Sequence, residues 1–397
     1  MGTIVPLADA RPQDAGAKAA TLGRLRRAGL PVPDGVVVPA DADLSGAVVH
    51  DLAAALDRLG GGPFAVRSSA ADEDGAGASA AGQYDSVLGA SGIDAVVAAV
   101  HACRASAAGP RATTYRAARG RTEVAGVAVL VQRMVAAHVA GVMFTPDPGP
   151  APGRSAGTTG GRPAVIEASW GLGQSVVQGA VDPDRFTVTA GQVGRRHVGS
   201  KHTRVDGSSH GTTTRDVAPA DRRRPCLDDD GVLRVAGLGA RVAALLGGAQ
   251  DVEWAVDAAG TVWLLQARPV TAALPATDRA PARGRTGVLH GVTGSGGRAH
   301  GPARVVRGPD DFAAVRPGDV LVCRETDPAW TPLFGVVAAV VTETGGLLSH
   351  AAIVAREAGL PAVLGVPRAT EALRGTVAVD GDAGTVEILP ARRAGQG

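Results

Sequence analysis

The chain is short of sulfur, aromatic residues, lysine and long apolar runs, and each shortage removes a class of protein. Cysteine occurs three times in 397 residues, at Cys103, Cys226 and Cys323. The three are far apart and odd in number, with no Cys-x-x-Cys pair and no Cys/His cluster of zinc spacing. A disulfide framework and a structural zinc site are not expected, and a reducing cytoplasmic setting is. No apolar run approaches the roughly 18 residues that a membrane-spanning helix needs. The N-terminus lacks a signal-peptide pattern. The formal charge is only +2, so neither nucleic acid nor a membrane surface is expected as a partner. Aromatics make up 3%, so the cores must be packed with Val, Leu and Ala. Basic residues are arginine except for Lys18 and Lys201, and a lysine kept against such a bias has a claim to a specific task.

What is present is 45% hydrophobic and too long for one ordinary core, which suggests two or three domains. The first third alternates helix and strand patterns. A helix is expected over residues 16–28, ended by Gly29 and the prolines beyond it. Residues 36–38 and 64–66 read as strands, and 127–131 with 140–144 as a strand pair around a short turn. Residues 75–82 and 149–161 read as Gly-rich loops. The charge runs at 221–224 and 228–230 read as solvated surface, and 231–246 as a helix. Residues 251–256 and 261–268 form a clear hairpin by alternation and turn chemistry. Residues 271–289, Ala/Pro/Arg-rich up to 286, read as a linker, which leaves 1–270 and 290–392 as two domains, both of mixed α/β (α+β) character. Strand signals at 375–377 and 384–388 close the second.

Three places carry chemistry. In the hairpin, Asp251, Glu253 and Ala255 share one face; with Val256 paired to Thr261, Glu253 lies opposite Leu264 and diagonal to Gln266. Leu264, Gln266 and Arg268 share a face by period two. Glu and Gln are hard oxygen ligands suited to Mg²⁺, and Arg suits phosphate. The spacing alone is equally that of an ordinary hairpin's polar outer face. Phe64-Ala-Val-Arg67-Ser-Ser ends a strand in an arginine and two hydroxyls ahead of a glycine-rich loop, a weak phosphate signal. Lys18, by spacing alone, reads as a solvated helix lysine. Last, Gly345-Gly-Leu-Leu-Ser-His350 puts a histidine where an apolar helix begins. It is either a satisfied buried histidine or a nucleophile whose phosphoryl group would meet the free N–H groups of the helix start. Ser349 is placed to cap that helix and to touch the imidazole. Glu343, Arg356 and Glu357 read as structural.

Taken together, these motifs resemble the ATP-dependent phosphohistidine dikinases: phosphoenolpyruvate synthase, pyruvate phosphate dikinase and rifampin phosphotransferase. Gly16-Ala-Lys-Ala-Ala-Thr-Leu-Gly23, Val66-Arg-Ser-Ser69, Gly82-Gln-Tyr84, Gly141-Val-Met-Phe-Thr145, Asp251-Val-Glu-Trp254 and Leu265-Gln-Ala-Arg-Pro269 look like the family's ATP-grasp domain. Gly345 to His350, Ala355-Arg-Glu357 and Pro361-Ala-Val363 look like its swivelling histidine domain. The resemblance implies ATP contacts at Lys18, Arg67, Gly82, Ser86, Gln132, Glu253, Gln266 and Arg268, with Mg²⁺ held by Glu253 and Gln266. It implies that His350 is the phosphohistidine and that ATP is split to AMP. Full-length members carry a third, acceptor-binding domain, for which the chain shows no segment, so the acceptor is expected to be a small molecule or a separate acceptor-domain protein. Gln174 departs from an acid common in relatives.

Overall fold

The computed structural model describes residues 3–70, 84–109, 113, 126–146, 162–208, 211–272, 274 and 287–390. The chain divides into two compact units, one of Met1–Gln174 with Asp184–Thr271, the other of Ser175–Pro183 with Ala272–Gly397. The glycine-rich loops expected at 75–82 and 149–161, and nearly all of the segment between the units, lie outside the described residues.

In the first unit, strands β1 (Val5–Pro6), β2 (Gly35–Val38), β3 (Phe64–Ser69), β4 (Ser86–Ala90) and β5 (Ala128–Arg133) form a five-stranded sheet in the order β1-β2-β5-β3-β4. Helices α2 (Gly46–Arg58) and α3 (Ile93–Ser106) cover it, with Leu52, Leu56, Val96 and Val100 buried on Val66, Val129 and Val131. A second sheet is built from β6 (Ala137–Phe144), β7 (Ala164–Trp170), β8 (Asp184–Thr189), β9 (Gln192–His197), β12 (Gln250–Asp257) and β13 (Val262–Pro269), in the order β13-β12-β6-β7-β8-β9. Between β9 and β12 lie a separate two-stranded arm, β10 (Thr203–Ser208) with β11 (Gly211–Asp216), and helix α4 (Asp229–Leu246). The side chain of Asp228 caps α4 by accepting from the Gly231 N–H at 2.7 Å.

The sequence expectations change in four respects. The strands at 127–131 and 140–144 do not pair: β5 is flanked by β2 and β3, and the three residues after it carry the chain into the other sheet. The helix expected from Gly16 runs as α1 (Pro12–Arg27), broken at Gly16 with φ +72°. A Cβ there would lie 1.9 Å from the Ser69 carbonyl oxygen, so only glycine lets α1 approach the end of β3 this closely. The charge run at 221–224 is only partly solvated, since Arg224 stacks over Trp170, whose Nε1 donates to the Asp221 carbonyl. The hairpin carries a bulge described below.

In the second unit, eight strands form one mixed sheet: β14 (Val288–His290), β15 (Val292–Ser295), β16 (Arg298–Val305), β17 (Val320–Cys323), β18 (Ala339–Thr342), β19 (Ala362–Leu364), β20 (Thr376–Asp380) and β21 (Thr385–Ile388). Its centre, β16 to β19, is parallel, and β17, β18 and β19 are almost wholly buried Val, Leu and Ala, as a parallel sheet covered on both faces requires. Helix α5 (His350–Ala358) links β18 to β19 and packs on one face with Trp330, Leu333 and Phe334; Leu373, Val377 and Val386 lie in the core of the other.

Among the described residues, no helix is long and apolar enough to cross a membrane.

Candidate functional sites

The first site lies within the first unit, where the ends of α1 and β3 meet the β12–β13 hairpin. The hairpin register runs Val256 to Val262, Ala255 to Trp263 and Trp254 to Leu264, then shifts, so that Glu253 pairs with Gln266, Val252 with Ala267 and Asp251 with Arg268. Leu265 is the extra residue. The expected register is corrected at two places: the turn pairs Val256 with Val262 rather than Thr261, and the bulge adds one further residue of shift. Leu264 joins Trp254 in the core rather than sharing a face with Gln266, and Glu253 stands directly opposite Gln266 rather than diagonal to it. The bulge also frees the Leu265 carbonyl, which accepts from Arg67 Nη1 at 2.8 Å.

Charge gathers on that face. Arg67 Nη2 donates to Glu253 Oε2 at 2.7 Å, and Arg268 donates to Asp251 Oδ2 from Nε at 2.9 Å and from Nη2 at 2.7 Å. Lys18 is buried and donates to the Ser68 carbonyl at 2.9 Å. The restarted helix behind it is anchored by Ser69, whose hydroxyl donates to the Ala15 carbonyl and accepts from the Ala19 N–H. Burial pushes the Glu253 carboxyl up, but the charge and hydrogen bond of Arg67, joined by Arg268 and Lys18, outweigh it and hold the pKa below the ordinary value. Glu253 is therefore ionised at neutral pH, close to three cationic side chains.

The structure thus brings Lys18, Arg67, Glu253, Gln266 and Arg268 together. Ser86 begins β4 directly opposite Arg67 and is exposed. Gln132 is buried, its Nε2 donating to the Pro33 carbonyl at 2.8 Å, which leaves its second amide N–H and its carbonyl oxygen for a ligand. Gly82 lies outside the described residues. Asp251, which fixes Arg268, was not among the expected site residues. The signal was there: it stands two positions before Glu253, on the same face by period two.

The second site is His350, in the second unit at the C-terminal end of the parallel strands. Gly345 turns the chain at φ +106°, and Ser349 occupies the position before α5 with extended backbone. Its hydroxyl does not cap the helix and does not touch the imidazole; it donates instead to the Gly346 carbonyl at 2.8 Å, closing the turn. Arg356 Nη1 donates to the Leu347 and Gly294 carbonyls, and Glu343 accepts from the Thr370 N–H and hydroxyl, so both brace the loop.

The imidazole is buried, 4% exposed. Thr326 Oγ1 lies 3.0 Å from Nδ1, Thr331 Oγ1 lies 3.5 Å from Nε2, and the Phe334 ring meets it edge-on with centroids 6.3 Å apart. None of these partners was legible near the histidine, because they come from the segment after β17, 16 to 24 residues earlier in the chain. What such a site can do follows from the two nitrogens. Thr326 lies close enough to Nδ1 for a good hydrogen bond, and Thr331 lies farther from Nε2.

Residues 40–285 match the family described as pyruvate phosphate dikinase, AMP/ATP-binding domain, and residues 315–384 match the PEP-utilising enzyme, mobile domain. A probable phosphoenolpyruvate synthase of Methanothermobacter thermautotrophicus is 34% identical over 94% of this chain and 61% of its own length. Phosphoenolpyruvate synthase of Pyrococcus furiosus is 36% identical, over 81% of this chain and 40% of its own. That of Escherichia coli is 37% identical, over 78% and 41%. The chain therefore spans between 40% and 61% of the length of these relatives.

Proposed function

The chain belongs to the pyruvate phosphate dikinase family, its first unit being an ATP-grasp domain, and from this we propose that it is an ATP-dependent phosphotransferase working through phospho-His350. It splits ATP to AMP and phosphate and passes a phosphoryl group to a small-molecule acceptor or to a separate acceptor-binding protein. The observation that carries this reading is the imidazole at the start of α5 with Nδ1 held by Thr326.

In the nucleotide site, Lys18, Arg67 and Arg268 offset the negative charge of the triphosphate. The donor set of Glu253 and Gln266, one ionised carboxylate facing one amide, fits Mg²⁺, which is commonly held by one or two protein oxygens together with phosphate oxygens. When bound, Mg²⁺ supplies charge neutralisation and alignment of the phosphates. With nucleotide bound, the Arg67 and Arg268 guanidinium groups would turn toward phosphate, leaving the Glu253 carboxylate to hold the cation.

At His350, a proton on Nδ1 donated to Thr326 leaves the lone pair on Nε2. Nε2 bonds to the β-phosphorus while the bond from that phosphorus to the α–β bridging oxygen breaks, and AMP leaves with the electron pair. The ring keeps its Nδ1 proton and carries the positive charge. Water or phosphate removes the outer phosphoryl group, and the one left on Nε2 sits near the positive end of α5.

Incubation with Mg-ATP and no acceptor tests this. Slow AMP release and an acid-labile adduct on His350, absent from His350→Ala, are expected. Release of ADP in place of AMP, or an adduct that survives His350→Ala, would overturn the reading.

A further inference from the structure

Two threonines bracket the imidazole, and only one of them is within good hydrogen-bond distance. Thr331 faces Nε2, the nitrogen assigned above to the phosphoryl group, from 3.5 Å. Its proton is committed elsewhere, since Oγ1 donates to the Pro328 carbonyl at 2.9 Å. A hydroxyl has one proton, so while that bond stands Thr331 cannot donate toward the imidazole. The separation is long for a hydrogen bond to nitrogen. The residue is also firmly placed. It lies in the 3₁₀ turn Pro328–Gly335, whose Asp327 side chain accepts from the Ala329 N–H at 2.7 Å and whose Trp330, Leu333 and Phe334 are buried in the core beneath α5.

We propose that Thr331 is a positioning residue for the loaded histidine: its hydroxyl swings from the Pro328 carbonyl to a phosphoryl oxygen on Nε2. The inference rests on the phosphohistidine reading above. A dianionic oxygen is a stronger acceptor than a neutral carbonyl, so the exchange favours the loaded state. Rotation about one side-chain bond suffices, because a threonine hydroxyl has more than one staggered position, and the carbonyl it leaves accepts a neutral bond of smaller worth. Thr326 stays on Nδ1 throughout, so the two hydroxyls have separate tasks: one holds the ring, the other receives what Nε2 takes up.

The test is the loading equilibrium. The intact chain and its Thr331→Val and Thr331→Ser variants are incubated with Mg-ATP at fixed ratios of ATP to AMP and phosphate, and phosphohistidine is quantified by ³¹P NMR. Valine keeps the shape and removes the hydroxyl; its equilibrium constant should fall about tenfold, the difference between a charge-assisted and a neutral hydrogen bond. Serine keeps the hydroxyl and should stay within about twofold of the parent on the same argument. ATP binding should be the same in all three. Equal loading of Thr331→Val and parent overturns the proposal, and so does an equal loss in Thr331→Ser and Thr331→Val, which marks a packing role. If the parent chain gives no AMP and no adduct, the functional reading itself fails, and this inference with it.

Discussion

The two sites solve opposite electrostatic problems. Among the described residues, the candidate nucleotide site gathers three cationic and two anionic side chains and orders them by pairing: Arg67 on Glu253, Arg268 on Asp251, Lys18 on a backbone carbonyl. At His350 the described residues against the imidazole are two threonine hydroxyls and a phenyl edge. A site that receives a polyanion and its cation gains from charges already placed, because pairing offsets their desolvation until the ligand takes over. A nucleophilic imidazole must be neutral, and a nearby carboxylate would favour its protonated form. The difference teaches that one site is ordered by ion pairs that can be exchanged and the other by hydroxyl groups on its two ring nitrogens.

That contrast can be broken in graded steps. The largest effect belongs to His350→Ala, which should abolish the acid-labile adduct while leaving nucleotide affinity unchanged, read by intact-mass spectrometry and calorimetry. A large structural effect is expected at Gly16→Ala, where the new Cβ would meet the Ser69 carbonyl in a left-handed backbone. It should cost about 2–4 kcal/mol in denaturant unfolding and weaken ATP binding, because Lys18 rides on the displaced helix. The Arg67–Glu253 pair comes next. Arg67→Met and Glu253→Gln should show a coupling of about 1–2 kcal/mol in a double-mutant cycle, less than a fully buried pair would, since both partners are partly exposed. No coupling would mean that the pairing is not what orders this site.

The smallest effect concerns acid. Glu253 has a folded-state pKa below its unfolded one, so its pair stabilises the fold above the ordinary carboxylate range and that stability is lost as pH falls through the lowered value. Glu253→Gln should therefore flatten the acid limb of unfolding free energy below about pH 4.5, where the unfolded carboxyl starts to take up its proton. His350→Ala should leave that limb where it is, and a shift there would blur the division between the two sites.

Much of the architecture was legible in the sequence, and the misses have definite causes. Strand pairing by proximity failed at 127–144 because β5 already has neighbours on both edges, whose paired residues lie 59 to 97 positions away in the chain. The hairpin was read at the right residues with the wrong register, because alternation cannot show that the turn pairs Val256 with Val262 or that Leu265 is bulged. Ser349 was assigned the cap that its position suggests, but its hydroxyl accepts no helix N–H and donates to the Gly346 carbonyl.

By itself the sequence determined which residue types were available: a nearly solitary lysine after Gly16, an acid and an amide on one hairpin face, an arginine ending a strand, and a histidine at a helix start behind two glycines. Those choices are local, and composition and periodicity report local choices well. Only the tertiary structure decided that the β-bulge at Leu265 sets Glu253 against Gln266 and gives Arg67 a carbonyl to hold. It alone brought Thr326 and Thr331 to the two sides of His350. Hydrogen bonds between distant segments depend on the path of the backbone through space, and no pattern along the chain encodes an angle or a distance of 3 Å.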